Sequence, residues 1–244
     1  RDLRMSRGLG DVYKRQDPTY ILIIIGVIIC SIASMRVKST FSKYSGMRNH
    51  MGLTGAQAAE RVLHGAGIYD VRIERVAGNL TDHYDPRNKV LRLSDATYGQ
   101  CSVAAVGVAA HECGHAIQHA RGYAPLQFRS ALVPVANFGS MIAWPLIVLG
   151  LFINSQSSAL LINIGILAFS LAVLFQLVTL PVEYNASGRA VRILAETGMM
   201  QGEEIVATKK VLNAAALTYV ASAAAAILQL VRILILTGGR RRDD

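Results

Sequence analysis

Two long uncharged apolar runs, residues 132–153 and 158–180, are separated by nothing more than the polar link 154–157. At 1.5 Å of rise per residue each makes a helix of about 33–35 Å, enough to cross the roughly 30 Å hydrocarbon core of a bilayer. Lipid offers a backbone no hydrogen-bond partners, so segments of this kind are restricted to helices. The pair reads as a transmembrane hairpin, and the rest of the chain must fold around it at a membrane. Composition agrees: 52% of residues are hydrophobic, 17% are charged and the mean hydropathy is +0.35, too apolar for an ordinary soluble domain.

Two further runs extend the pattern. Residues 20–35 carry no charge; beyond them Val37, Phe41, Tyr44 and Met51 recur at helical spacing among Arg36, Lys38, Lys43 and Arg48. Residues 17–53 therefore read as an anchor helix followed by a basic juxtamembrane helix lying on the lipid surface. Residues 211–244 form an Ala-rich apolar helix, interrupted by Arg232, with a basic tail. The first sixteen residues, ending in Asp-Val-Tyr-Lys-Arg-Gln, show no apolar period. They resemble translated adapter read-through and are set aside as a non-native leader.

Between the apolar runs the chain changes character. In residues 54–131, Thr54 with Gln57 three positions on is a capping box, and Gly65 suits the end of that short helix. Residues 71–76 alternate as a strand does. The stretches 80–84 and 89–93 flank Asp85-Pro86-Arg87-Asn88, which predicts a hairpin. Ser102 is placed to cap a helix from Val103 to about Ala120, closed by Gly122 and Pro125. Residues 181–210 are polar again, and Pro181 is expected to open a new helix, since a first turn needs no amide donor. The fold class is thus mainly α: a multi-span helical membrane protein with a small α+β region at one membrane face. Residues 132–180 form its hairpin.

The formal charge of +9 does not gather into one basic face, which excludes a nucleic-acid partner. It sits between apolar runs, as attraction to a lipid bilayer would require. Cys30, Cys101 and Cys113 are too scattered for a disulfide framework and read as small buried hydrophobes.

One motif carries chemistry. His111-Glu112-Cys113-Gly114-His115 fits H-E-x-x-H on the predicted helix. Positions 111 and 115 lie about 40° apart around the axis and one turn apart along it, so both imidazoles can reach one Zn²⁺. Glu112 is rotated about 100° from His111, beside the metal, where it can act as general base and later return a proton to a leaving amine. Two histidines and a glutamate inside an apolar helix would be costly without such a purpose. His119 continues the row but sits about 12 Å along the axis from His111, beyond the same metal, and reads as a helix-end cation. Catalytic zinc usually has a third protein ligand. The downstream acids are Glu183, Glu196, Glu203, Glu204, Asp243 and Asp244. Of these Glu183 stands out, because the hairpin returns the chain to the face it left and Glu183 follows it directly.

The sequence His-Glu-Cys-Gly-His-Ala-Ile-Gln-His-Ala at 111–120, the hairpin, and Leu-Pro-Val-Glu-Tyr-Asn-Ala-Ser-Gly-Arg-Ala at 180–190 together resemble the neutral zinc metallopeptidases of bacterial membranes, the YugP-like family. The site would be of the gluzincin type, and the likeness runs over residues 17–244. More distantly the chain is similar to heat-shock membrane proteases and prenyl-protein proteases, which share a Glu-x-x-x-Asp second motif. Here the position four after Glu183 is Ser187 rather than Asp. The resemblance implies His111, His115 and Glu183 as zinc ligands, Glu112 as general base, and a peptide or protein substrate.

The function expected is a membrane-bound zinc metalloendopeptidase, with a catalytically inactive zinc-binding membrane protein as the alternative. A strand edge near the motif helix would pair with an extended peptide. Residues 36–131 carry twelve Lys/Arg and residues 181–210 carry four, so the positive-inside rule puts both, and the zinc, on the cytoplasmic side of a bacterial cell membrane. Arg240, Arg241 and Arg242 oppose this placement if the last apolar helix spans.

Overall fold

The computed structural model describes residues 18–153 and 157–238. The expected leader within residues 1–17, residues 154–156 of the hairpin link and residues 239–244, with Asp243 and Asp244, lie outside the described residues. Four helices are long and apolar enough to cross a membrane: α1 (Tyr20–Ser45), α4 (Ala124–Phe152), α5 (Ser157–Glu196) and α6 (Glu203–Gly238). They pack in the order α4, α5, α6, α1, so α4 and α6 flank α5.

Small residues let these helices approach, the usual means of association where lipid removes the hydrophobic drive. A methyl on Gly165 of α5 would come 3.0 Å from the Ala143 carbonyl oxygen of α4. One on Gly139 would come 2.8 Å from the Ala168 carbonyl oxygen, so the hairpin helices touch along their length. On the other side of the row, Gly26 of α1 lies against Ala225 of α6.

The α+β region sits on one end of this row. Helix α2 (Gly55–Gly65) opens with the expected capping box, Thr54 Oγ1 accepting from the Gln57 amide and Gln57 returning a carbonyl to Thr54. It ends at Gly65, as expected, and the chain reverses just beyond at Gly67, φ 76°. Strands β1 (Arg72–Val76), β2 (His83–Asp85) and β3 (Val90–Ser94) form a sheet in the order β1-β3-β2. The predicted hairpin is β2–β3, turned by Asp85, whose carboxylate accepts from the amides of Arg87 and Asn88. β1 pairs parallel with the buried β3, leaving β2 as an edge. Helix α3 (Val103–Ala120) is capped by Ser102, which accepts from the Ala105 amide, and reversed at Gly122. Its buried face packs on α2 and β3, with Val106, Ala110 and Cys113 meeting Ala59, Val62 and Leu93 in one core.

Two expectations about helix ends are corrected. The basic stretch after Met35 does not turn onto the lipid surface; α1 continues unbroken to Ser45. No Gly or Pro lies between Met35 and Ser45, and Val37, Phe41 and Tyr44 remain the more sheltered face of α1, with Tyr44 packed on the core. Nor does Pro181 start a helix; it lies inside α5. The ring deprives the Leu177 carbonyl of its donor, but neighbouring helices hold α5 on both sides and such prolines are tolerated there. Residues 181–196 therefore continue the second hairpin helix as one rigid rod.

Candidate metal centre

His111 and His115 project from adjacent turns of α3 toward α5. The close approach of the two helices depends on Gly114, where an added Cβ would lie 2.7 Å from the Ala186 carbonyl oxygen. Because Ala186 is one turn after Glu183, that contact brings the Glu183 carboxylate against both imidazoles. Glu183 Oε2 lies 3.3 Å from His111 Nε2 and 3.5 Å from His115 Nε2, and the three ligand atoms are within 4.8 Å of one another.

These contacts fit a metal. Ligand atoms around a tetrahedral Zn²⁺ with bonds of roughly 2.0–2.1 Å stand about 3.3–3.4 Å apart, close to the 3.3 and 3.5 Å that separate Glu183 Oε2 from the two imidazoles. Glu183 is 2% exposed and its Oε2 is buried with no hydrogen-bond partner. A carboxylate oxygen left this way is costly unless a cation meets it. The site also favours positive charge: burial opposes a proton on His115, yet Glu183, Glu112 and Gln118 together hold its imidazolium above the usual range.

The far nitrogens of the rings are pinned as well. His115 Nδ1 stands 3.1 Å from Gln118 Oε1, while Gln118 Nε2 donates to the Val182 carbonyl at 2.8 Å and to Asn185 Oδ1 at 3.0 Å. With its amide nitrogen so engaged, Gln118 offers only an acceptor to His115. Nδ1 therefore keeps its proton, and a metal that displaces the one on Nε2 would meet the Nε2 lone pair beside Glu183. Ser187 Oγ stands 3.1 Å from His111 Nδ1, so a hydroxyl occupies the place of the carboxylate in the Glu-x-x-x-Asp motif.

The other acids are engaged elsewhere. Asp82 accepts from the backbone and hydroxyl of Ser94, Asp95 from Arg75 and the Gly78 amide, and Glu204 from His50. Glu196 borders a separate cavity with Arg121, Arg189 and Arg192. His119 is bonded through Nδ1 to the Tyr84 hydroxyl at 3.0 Å, away from the cluster. Cys113 is buried, its thiol pushed well up by burial and by the charge of Glu112.

Glu112 opens into a cleft of about 660 Å³ that His115 and Glu183 also line. β2 and His119 border it on one side, Gln127, Arg129 and Ser130 of α4 on another, and Tyr219 of α6 closes it. Tyr219 lies within electrostatic reach of both Glu183 and Glu112. Gln118, Arg129 and Tyr219 were not singled out from the sequence. Gln118 was readable as an amide three positions after His115 on the motif helix; the other two become visible only when α4 and α6 are placed beside α5.

Gly114→Ala is expected to cost about 1–3 kcal/mol of stability by overpacking and to weaken zinc binding, since the new methyl pushes α5 and Glu183 away from α3. Zinc titration of the folded variant checks this; unchanged affinity would remove the close approach as a condition of the site.

A membrane-embedded helical fold whose α3 brings H-E-x-x-H to a glutamate on a neighbouring helix defines a zinc metallopeptidase class. Residues 19–238 match the family described as "Putative neutral zinc metallopeptidase", and the chain belongs to that family. A relative from Bacillus subtilis (strain 168), described as "Putative membrane protease YugP", is 47% identical over 209 residues, 85% of this chain and 92% of its own length. No solved structure matches. The fold is accordingly that of a mainly helical membrane protein, and zinc is the metal its family implies.

Proposed function

We propose that this chain is a membrane-bound zinc endopeptidase in which His111, His115 and Glu183 hold the metal and Glu112 is the general base. The observation that carries the reading is the convergence of two Nε2 atoms on the orphaned Glu183 Oε2, beside Glu112 in an open cleft. When bound, zinc supplies a Lewis acid that polarises the scissile carbonyl and makes water a better nucleophile. Gln118 holds His115 in the tautomer that presents Nε2, and Ser187 orients the His111 ring through Nδ1. Glu112, half-buried in the cleft wall, takes the proton of the attacking water and delivers it to the leaving amine. The Tyr219 hydroxyl and the Tyr84–His119 pair are the donors at hand for the carbonyl oxygen as it gains charge. An extended peptide pairs with the free edge of β2.

Protein purified in detergent is expected to hold about one zinc per chain and to cleave an unstructured peptide. Chelation should stop cleavage and added zinc restore it. Cleavage surviving in metal-free protein would refute the mechanism, and stoichiometric zinc with no cleavage of any peptide would favour a zinc-binding membrane protein without catalysis.

The active site is proposed to face the cytoplasm, on the charge distribution of the segments around it. Asn79, exposed in the loop after β1, is a suitable reporter. In a background lacking Cys30 and Cys101, Asn79→Cys is expected to resist an impermeant thiol reagent in intact cells and to react after lysis. Ready labelling of intact cells would invert the orientation.

A further inference from the structure

The depth of the cleft relative to the bilayer follows from the helix packing. Where the hairpin helices touch, Ala143 faces Gly165. Arg129 lies fourteen residues before Ala143 and Leu180 fifteen after Gly165, so Arg129 and Leu180 stand at one level. Glu183 is three residues above Leu180, about 4.5 Å along the axis. Tyr219 shares the cleft with Glu183 and Arg129 and belongs to the same level on α6.

Away from that level the three helices enter apolar sequence. Residues 130–152 and 157–180 contain no charged side chain, and residues 219–238 contain only Arg232. At 1.5 Å per residue these stretches measure about 30–36 Å, one hydrocarbon core each. Arg129 is the last charge on α4 before the bilayer, and its guanidinium lies over the Phe175 ring at 5.9 Å, an aromatic contact on the apolar side of Leu180 that holds the cation at the lipid boundary and out of open water. Tyr219, an apolar ring with a polar tip, suits the same interface. The floor of the cleft is therefore the membrane boundary itself, while β2, with His83 and Arg87, forms its water-facing side.

We infer that the peptidase is specific for polypeptide held at the membrane surface, cutting within a few residues of the point where a membrane-inserted substrate leaves the bilayer; this rests on the peptidase reading above. A freely diffusing peptide reaches the same zinc only by settling at the lipid boundary. A substrate anchored in the same bilayer is already at that depth and gains effective concentration from its anchor.

Two measurements on the full chain in liposomes test this. The first is independent of activity: a nitroxide attached at Ser130→Cys, in a background lacking Cys30 and Cys101, is expected to report a depth at the lipid headgroup level. Access to a water-soluble relaxant equal to that of a label at Asn79→Cys would overturn the inference. In the second, a uniform repeat of one cleavable sequence links a spanning helix to a soluble domain. Cuts mapped by mass spectrometry are expected to cluster within about ten residues of the helix, a reach of roughly 35 Å when extended. The free repeat should be cut at least about tenfold more slowly. Cuts spread evenly along the linker, or equal rates for the free repeat, would overturn the inference and leave the peptidase intact. Absence of any cut by zinc-loaded protein would instead count against the peptidase, with the nitroxide depth still deciding where the cleft lies.

Discussion

Glu183→Ala is expected to yield a folded protein that holds almost no zinc and cleaves nothing. The side chain is nearly inaccessible, and one of its oxygens has no hydrogen-bond partner. Its removal takes away a buried charge together with its contacts to His111 and His115. Alanine favours helix, and Ala186 still seats α5 against Gly114, so the variant is expected to fold. Two histidines alone make a weak and open site compared with the three protein ligands usual at catalytic zinc. Zinc content should fall from about one per chain to near none. Glu196→Ala and Glu203→Ala should keep both metal and activity. Glu196 is thirteen residues further along α5, about 20 Å from Glu183 if the helix is straight, and borders a different cavity. Elemental analysis of the three purified variants checks this. Stoichiometric zinc in folded Glu183→Ala would remove Glu183 from the ligand set and direct attention to Asp82, Asp85 and Asp95, each of which would first have to give up its present partners.

Glu112→Gln separates holding the metal from using it. The substitution keeps the shape of the side chain and removes its ability to accept a proton from water. Cleavage should fall by about 10²–10⁴-fold, a barrier increase of roughly 3–5.5 kcal/mol, while bound zinc stays near the wild-type level. A rate measured alongside zinc content in the same preparation distinguishes the outcomes. Loss of metal would make Glu112 a ligand, and retained activity would assign proton transfer to another group lining the cleft.

Much of this protein was legible one segment at a time. The H-E-x-x-H spacing and the Ser102 cap bound α3 correctly. The Thr54–Gln57 box started α2, and the Asp85–Asn88 turn produced the β2–β3 hairpin. All are contacts within about a turn or a tight loop, where residue type and local geometry suffice. The uncharged runs were equally plain, since the bilayer imposes length and helicity on any segment that enters it. Errors arose where local signals met competing packing. A proline marks a helix start in isolation, yet Pro181 lies within α5 because α4 and α6 hold that rod on both sides. Basic residues after an apolar run suggest a helix lying on lipid, yet α1 continues because its sheltered face finds α6 and the core.

From sequence alone came the pair His111 and His115, the carboxylate beside them, and the likelihood that a later acid returns to join them, because periodicity and the geometry of a hairpin require no knowledge of neighbours. The tertiary structure decided the remainder. It was the bare flank of Gly114 against Ala186 that brought Glu183 within 3.3 and 3.5 Å of the imidazoles. Gln118 and Ser187 became ring-orienting partners only through contact with α5 and α3, respectively, and Arg129 and Tyr219 joined the cleft only through the packing of α4 and α6 around α5. Such contacts join residues as far as 76 positions apart, and their distances depend on how closely whole helices approach, which is set by packing between segments and has no counterpart in the spacing along the chain.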